Sequence, residues 1–406
     1  MKCGLLGHRL SHSYSPAIHQ LLGDYEYQLY EVEPEGLKQY LLQGDFDGLN
    51  VTMPYKTAVI PYLDGLTDDA RNIGAVNTIY RQNGKLCGHN SDLAGFREMV
   101  RRCGLQLEGK KCLVLGSGGA GKMAVHALTS AGAQAVTISR AGKDHYGNLE
   151  RHKDAKILIN ATPVGMFPHC GESPVDLDIF DQLEAVLDVI YNPIRTKLLM
   201  DAEKKGLITS SGLWMLIAQA KVSAEYFTGK HIPDEIIRKI HSQLSQQMEN
   251  IILIGMPGCG KSTIGRLLAE KTGKSFVDTD AEIEKLAGKR IPDIFKEDGE
   301  DKFRELETAV IAQFGKQSGL VLATGGGCIT RCHNYPLLHQ NGIIFWLLRD
   351  TEKLITEGRP LSVGADLQEM YRFRKPMYEA FADFCIDNDD HPAQTVAKIL
   401  TYWEER

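Results

Sequence analysis

Two glycine-rich loops of different design sit in one chain, Gly116-Ser117-Gly118-Gly119-Ala120-Gly121 and Gly255-Met256-Pro257-Gly258-Cys259-Gly260-Lys261-Ser262. The first follows the apolar run Lys111-Cys112-Leu113-Val114-Leu115 and opens a helical pattern that lasts to Ser130. Glycines at this spacing let a strand-to-helix turn approach the pyrophosphate of a dinucleotide. The second follows Ile251-Ile252-Leu253-Ile254 and has the spacing of a loop that cradles a nucleoside triphosphate. There, backbone N–H groups from Gly258, Cys259, Gly260 and Thr263 would face phosphate oxygens, Lys261 would offset their charge and Ser262 would ligate magnesium. One chain with both loops reads as two nucleotide-using enzymes, one working with a dinucleotide and one with ATP and Mg2+.

The strand after the first loop, Ala135-Val136-Thr137-Ile138, ends in Ser139-Arg140, with Lys143 close behind. An NAD site usually has an acid there for the ribose hydroxyls, whereas a guanidinium and an ammonium suit a 2′-phosphate, so NADP(H) is the expected cofactor. The other reading of these two cations is a solvated loop. Cys259 sits near a helix N-terminus, where a thiol pKa can fall; the plainer reading is a small residue tolerated by the loop.

Length and composition agree with several domains, because 406 residues exceed one compact domain and a 43% hydrophobic content fills cores of that size. The formal net charge of −6 gives no general electrostatic case for nucleic-acid or acidic-membrane binding. Nine cysteines without a CxxC pair suggest neither a disulfide framework nor a zinc site. The N-terminal apolar run is too short for a signal peptide, and no stretch approaches the roughly 20 apolar residues of a membrane span, so a cytoplasmic location is expected.

The predicted architecture is α/β throughout. Residues 1–105 alternate short apolar runs with helical patterns and form a substrate-binding domain, completed by helical patterns over 212–248. Residues 106–211 form a Rossmann domain with parallel strands, and residues 249–406 a parallel α/β domain around the second loop. The junction Gln246-Gln247-Met248-Glu249-Asn250 lacks the Gly/Ser or Pro enrichment of a flexible tether, which predicts limited freedom between the halves.

Outside the loops, Asn50-Val51-Thr52-Met53-Pro54-Tyr55-Lys56 places a lysine beyond a strand end, and Asn90-Ser91-Asp92 an acid before a helix. With Ser13-Tyr14-Ser15-Pro16, these segments resemble shikimate dehydrogenase. The resemblance continues through Gly74-Ala75-Val76-Asn77-Thr78, Asn160-Ala161-Thr162-Pro163-Val164-Gly165-Met166, Asp188-Val189-Ile190-Tyr191-Asn192-Pro193 and Gly212-Leu213-Trp214-Met215-Leu216-Ile217-Ala218-Gln219-Ala220. It implies NADPH-dependent reduction of 3-dehydroshikimate, with Lys56 and Asp92 handling the proton. Ser13 and Ser15 would bind the substrate carboxylate, and Thr52, Asn77, Asn90, Tyr191 and Gln219 the ring hydroxyls. Gly116, Ser117, Gly118, Gly119, Ala120, Ser139, Arg140, Lys143 and Gly212 would serve the cofactor. Singly, the serines read as a helix cap and Lys56 or Asp92 as a solvated charge; it is the ordered set that favours chemistry. Ser91 stands where that family usually has threonine, and Ser139-Arg140-Ala141 replaces its commoner Asn-Arg-Thr.

In the second half, Phe276-Val277-Asp278-Thr279-Asp280, Gly299-Glu300-Asp301-Lys302-Phe303-Arg304, Gly325-Gly326-Gly327, Arg359-Pro360-Leu361 and Arg374-Lys375-Pro376-Met377-Tyr378 resemble shikimate kinase. By that resemblance Asp280 would bind the ring hydroxyls of shikimate and accept or orient the proton of the attacking one, and Asp278 would join Ser262 around magnesium. Arg304 and Arg374 would clamp the shikimate carboxylate, beside Gly326 and Gly327, while Lys261 and Arg359 would steady the transferring phosphoryl group. An arginine that the family commonly carries before Arg359 has no counterpart here, where Lys353 and Ile355-Thr356 stand, and Asn388-Asp389-Asp390-His391 is acidic. Together the resemblances imply a bifunctional enzyme making shikimate and then shikimate 3-phosphate. The alternative is a quinate/shikimate dehydrogenase fused to a degenerate, nucleotide-sensing kinase domain. The sequence leaves the oligomeric state open.

Overall fold

Strands covered on both faces must be apolar on both, and the chain's most continuous apolar runs become the central strands of parallel sheets. The computed structural model describes residues 1–10, 13–354 and 366–404. Its contacts divide the chain into two units. One comprises Met1–Gly165, Glu172–Tyr191 and Leu198–Ser242; the other comprises Gln243–Arg406 with the short segments Met166–Gly171 and Asn192–Lys197.

The first unit holds two sheets. Strands β1 (Lys2–Gly7), β2 (Glu26–Glu31), β3 (Gly48–Val51), β4 (Gly65–Leu66), β5 (Thr78–Gln82) and β6 (Lys85–His89) lie in the order β2-β1-β3-β5-β6-β4. The pairs β3–β5 and β5–β6 are antiparallel, with Asn50 opposite Thr78 and Thr78 opposite His89. This register brings Asn50, Asn77 and the Asn90–Asp92 turn to one edge. There the helix Asp92–Arg102 meets the helix Leu213–Thr228, at a contact where a Cβ on Gly95 would stand 2.5 Å from Met215 O.

The second sheet is wholly parallel, in the order β11 (Ile208–Ser210), β10 (Ala185–Asp188), β9 (Ile157–Asn160), β7 (Lys111–Leu115), β8 (Gln134–Ile138). Alternation along its strands fills two cores. Cys112, Val114, Ile157, Ile159, Ala185 and Leu187 pack on one face with Ala124, Ala127 and Leu128 of the helix Gly119–Ser130. Leu113, Leu115, Leu158 and Val186 pack on the other with Leu198 and Leu199. The chain moves from β7 to β8 on one side and then to β9 on the other, so the first glycine loop emerges where strand order reverses, the usual ligand crevice of such sheets.

The second unit repeats this logic with β12 (Asn250–Ile254), β13 (Ser275–Asp278), β14 (Leu320–Ala323), β15 (Gly342–Leu348) and β16 (Phe384–Asp387), all parallel in the order β13-β14-β12-β15-β16. Its loop Gly255–Ser262 follows the central β12 and leads into the helix Lys261–Thr272. The helix Glu235–Met248 stops two residues before β12 begins at Asn250. Carbonyls at and just past its end are capped by the Lys274 ammonium, which donates to Gln246 O (2.7 Å), Gln247 O (3.2 Å) and Glu249 O (2.8 Å) and lies over the Trp403 ring. Burial lowers that lysine to about 8. All nine cysteines carry free thiols, and no helix among the described residues is long and apolar enough to cross a membrane.

Three histidines of the first unit are held neutral by burial: His19 falls to about 3, His89 to about 4 and His241 to about 4, where the Arg102 charge adds to the effect. His19 is stacked on Tyr27 with 3.9 Å between ring centres, and its Nδ1 is 2.6 Å from the Tyr25 hydroxyl. The folded-state values lie below that of the unfolded chain. The stability they contribute is therefore present above about pH 6.5 and is lost as pH falls toward 3–4, by about 1.4 kcal/mol per pH unit for each histidine. Thermal melts of His19→Phe should show a shallower loss of Tm between pH 6.5 and 4.5 than the parent chain; equal slopes would contradict the assignment.

Candidate active sites

In the first unit a cavity of about 440 Å³ collects residues from distant parts of the sequence. Its wall includes Ser13, Ser15, Thr52, Lys56, Asn77, Asp92, Tyr191, Gly212 and Gln219, together with Gly119 and Ala120 of the dinucleotide loop. Lys56 Nζ donates to Asp92 Oδ2 at 2.6 Å. Both side chains are only partly accessible, which strengthens their attraction and keeps a proton donor and an acceptor in register at the cavity wall. Asp92 opens the helix Asp92–Arg102, whose N-terminal partial charge favours a carboxylate.

The polar wall is built by reciprocal amide bonds. Asn77 Oδ1 accepts from Ser91 N (2.7 Å), while Asn77 Nδ2 donates to Ser91 Oγ (3.0 Å) and Gln219 Oε1 (3.4 Å). Gln219 Nε2 donates to Leu216 O at 2.9 Å. Burial raises the Tyr191 phenol, so it stays protonated as a donor. Asn90 differs from expectation: its Nδ2 donates to Ala75 O (2.9 Å) and its Oδ1 accepts from Leu93 N (3.3 Å). It therefore braces the turn into the helix and is not part of the cavity wall. Asn50 does line the cavity, a position that reading the segment as a strand did not single out.

Two of the recognised segments turn out to be strand-end devices. Asn160 Nδ2 donates to both oxygens of the buried Asp188 (3.1 and 3.2 Å), and Asp188 Oδ1 also accepts from Ile190 N (3.0 Å). This ties the ends of β9 and β10 together and aims the chain at Tyr191. Gly212 N donates to Ile190 O at 2.9 Å, and any Cβ on Gly212 would collide with Val189 O.

The dinucleotide loop distinguishes internal from external demands on glycine. Gly116 has φ +104°, and a Cβ on Gly121 would strike Gly116 O, so both are needed to turn the chain. At Gly118 and Gly119 a Cβ would meet no protein atom within 4 Å. The open cradle over this helix N-terminus fits a pyrophosphate, which approaches backbone N–H groups closely. Beyond β8, Arg140 and Lys143 are exposed, and the Ser139 hydroxyl donates to Ala141 O.

In the second unit the Lys261 ammonium is folded back onto the loop, donating to Gly255 O (2.8 Å) and Met256 O (3.0 Å). Ser262 Oγ donates to Asp278 Oδ2 at 2.6 Å. A hydroxyl and a carboxylate together suit magnesium, which takes one or two protein oxygens and completes its shell with phosphate and water. Asp278 Oδ1 accepts from Asp280 N (3.1 Å) and so sets the first turn of the helix Thr279–Ala287. Asn388 Nδ2 donates to Cys259 O at 2.6 Å and braces the loop from β16. Cys259 is fully buried, in accord with its plainer reading.

The two expected carboxylate-binding arginines converge on the glycine triplet. Arg374 Nη1 donates to Gly326 O (3.3 Å), as does Tyr378 OH (2.6 Å), and a Cβ on Gly327 would collide with the Arg304 guanidinium. Arg304 is buried, yet Nη1 donates to Glu307 Oε2 (2.8 Å) and Nη2 to Glu300 Oε1 (3.1 Å). Burial opposes its charge, but these carboxylates outweigh it and hold the guanidinium pKa above its ordinary value. Burial dominates at Glu307 and raises its carboxyl despite the Arg304 charge. Sequence reading missed Glu307, although its spacing of three from Arg304 on one helix was the available signal. Arg359, within 355–365, lies outside the described residues.

Residues 5–79 match the shikimate dehydrogenase substrate-binding domain family, and residues 257–404 match the shikimate kinase family. A shikimate dehydrogenase (NADP(+)) of Caldanaerobacter subterraneus subsp. tengcongensis is 35% identical over 271 residues, spanning 59% of this chain and 96% of the relative. The chain belongs to the shikimate dehydrogenase family. It carries in addition a shikimate kinase domain. Among solved structures, a chorismate mutase/shikimate 5-dehydrogenase fusion protein from Clostridium acetobutylicum superposes with TM-score 0.57 at 33% identity, covering 60% of this chain and 97% of that one. Shikimate 5-dehydrogenase from Thermus thermophilus, in complex with NADP(H) and shikimate, gives 0.55 at 31% identity, covering 60% and 99%.

Two substitutions separate the roles of these groups in this dehydrogenase–kinase chain. Lys56→Met should lower dehydrogenase turnover by about 10²-fold or more while NADPH still binds, as judged by its fluorescence titration. Glu307→Gln should leave Arg304 less firmly held and raise the shikimate KM of the kinase roughly tenfold, with the ATP KM unchanged. A raised ATP KM instead would place Glu307 in the nucleotide site.

Proposed function

We propose that Lys56 and Asp92 carry the proton in the reduction of 3-dehydroshikimate, and that Asp280, Lys261, Arg304 and Arg374 serve the phosphorylation of the shikimate so formed. The enzyme is bifunctional, acting at two consecutive steps of the shikimate pathway. When bound, NADPH supplies the hydride of the first reaction, and ATP with magnesium the phosphoryl group of the second.

The observation that carries the first assignment is the 2.6 Å Lys56–Asp92 pair in the wall of the same cavity as Ser13, Ser15, Asn77, Gln219 and the glycine loop. As the ketone carbon accepts hydride, charge grows on its oxygen. Lys56 Nζ donates a proton there, and Asp92 holds the lysine in position and exchanges the proton lost. Ser13 and Ser15 suit the substrate carboxylate, and Thr52, Asn77, Tyr191 and Gln219 its ring hydroxyls. Arg140 and Lys143, exposed just beyond β8, suit the 2′-phosphate of NADP, and Gly116, Ser117, Gly118, Gly119, Ala120, Ser139 and Gly212 the rest of the cofactor.

In the kinase the work is positioning and charge stabilisation. Arg304 and Arg374 orient shikimate through its carboxylate, beside Gly326 and Gly327. Asp280 accepts the proton of the attacking 3-hydroxyl. Lys261, turned toward phosphate from its resting carbonyls, balances the transferring charge. Ser262 and Asp278 hold magnesium, while Gly258, Cys259, Gly260 and Thr263 face the phosphates. Three functional segments accompany these roles: 1–105 with 212–248 for the substrate, 106–211 for NADP and 249–406 for the kinase. The free thiols support a cytoplasmic setting.

A two-channel assay with 3-dehydroshikimate, NADPH, ATP and magnesium tests the reading by following NADPH loss and shikimate 3-phosphate together. The parent chain should give both signals, and Asp280→Asn should consume NADPH while shikimate accumulates. Unimpaired shikimate 3-phosphate formation by Asp280→Asn would remove Asp280 from the proton-accepting role.

A further inference from the structure

Behind the dehydrogenase cavity lies a closed cluster of hydroxyls that the acid–base pair does not use. Ser223 is fully buried on the helix Leu213–Thr228, one turn after Gln219. Its Oγ donates to Gln219 O (3.0 Å), accepts from Asn50 Nδ2 (2.7 Å), and stands 2.8 Å from Thr78 Oγ1 and 2.9 Å from Ser91 Oγ. Thr78 and Ser91 are themselves 3.0 Å apart at their hydroxyls. One serine thus joins β3, β5, the turn before Asp92 and the helix bearing Gln219.

The proton order of this cluster is constrained. A serine hydroxyl has one proton and two lone pairs. With the Ser223 proton on the Gln219 carbonyl and one lone pair taken by Asn50, a single acceptor position is left for the hydroxyl of Ser91 or Thr78. The amides around it are oriented by groups that can act in only one sense. Ser91 N–H must donate, which fixes Asn77 Oδ1, and Leu216 O must accept, which fixes Gln219 Nε2. Asn50 is fixed likewise, its Nδ2 donating to the Asn77 backbone carbonyl (3.4 Å), which leaves its Oδ1 to accept from Tyr27 OH (2.8 Å). Asn50, Asn77 and Gln219 also face the cavity, so their buried partners set which donors and acceptors the substrate meets.

We propose that Ser223 is a positioning residue for the dehydrogenase, its hydroxyl holding the Asn50 amide directly and, through Ser91 Oγ, the Asn77–Gln219 pair in the wall that meets the ring hydroxyls of 3-dehydroshikimate. This rests on the reading of Asn77 and Gln219 as substrate contacts. The role requires a hydroxyl at 223, since an alanine there has the right size but leaves Asn50 Nδ2 with only the longer contact to Asn77 O (3.4 Å).

The test compares Ser223→Ala, Thr78→Val and Asn77→Ala in the full chain, where the kinase reports independently on protein quality. Ser223→Ala should raise the KM for 3-dehydroshikimate roughly tenfold and change kcat by less than about threefold, as expected for a buried hydrogen bond that orients the substrate. The NADPH KM and the kinase KM for shikimate should stay at parent values. Thr78→Val, which removes another hydroxyl of the same cluster, should shift the 3-dehydroshikimate KM in the same direction, and decides the matter if Ser223→Ala fails to bind NADPH. A parent-like KM in Ser223→Ala alongside a raised KM in Asn77→Ala would overturn the proposal alone. Parent-like values in both would overturn the reading of Asn77 and the proposal with it. Loss of NADPH binding and Tm in both hydroxyl variants would make the cluster structural and likewise overturn the positioning role.

Discussion

A phosphate group can be held without its full shell of water only where backbone N–H groups already converge, and a helix N-terminus is the place where a folded chain leaves them unpaired. To present such an end, a strand must run to the edge of its sheet and turn back into a helix within a few residues. Both central strands, β7 and β12, do this through glycine, and both stand where the strand order reverses. The parallel sheets, their two-sided apolar strands and the helices covering them follow from that requirement. The substrate pockets are then assembled from whatever the carboxyl ends of the strands bring into reach.

Each proposed substrate site keeps a charged group in place by pairing it inside the protein. Lys56 is held against Asp92, and Arg304 against Glu307 and Glu300. The two pairs differ in burial. Arg304 and Glu307 are almost inaccessible, and the raised carboxyl of Glu307 shows how strongly desolvation presses on that pair. Lys56 and Asp92 retain some contact with solvent, which leaves a route for proton exchange that a sealed pair would lack.

The strands and helices around both loops were legible because the signals are local: an apolar run, glycines at fixed spacing and a helical pattern ending at Ser130. Ser13, Ser15, Thr52, Lys56, Asn77, Asp92, Tyr191 and Gln219, proposed here to meet the substrate, were legible as an ordered set, and one cavity gathers them. What the sequence withheld depends on register and helix packing. Asn90 carries the same amide as Asn77, but one faces the cavity and the other is closed over its own turn. Ser223 is inconspicuous in sequence, since its four partners lie on elements up to 173 positions away. Glu307 was within reach of a simple helical spacing, yet its importance comes from burial, which spacing does not reveal.

The two kinds of glycine in the dinucleotide loop divide the damage that inheritance can do to it. A side chain at Gly121 would meet the protein itself, whereas one at Gly118 would meet only the open cradle that fits a pyrophosphate. Lesions of the first kind would remove the polypeptide from the cell, and with it the kinase encoded on the same message. Lesions of the second kind would leave a folded chain whose kinase still works on shikimate from another source. A single gene thus admits two separable phenotypes, distinguished by whether supplied shikimate restores growth.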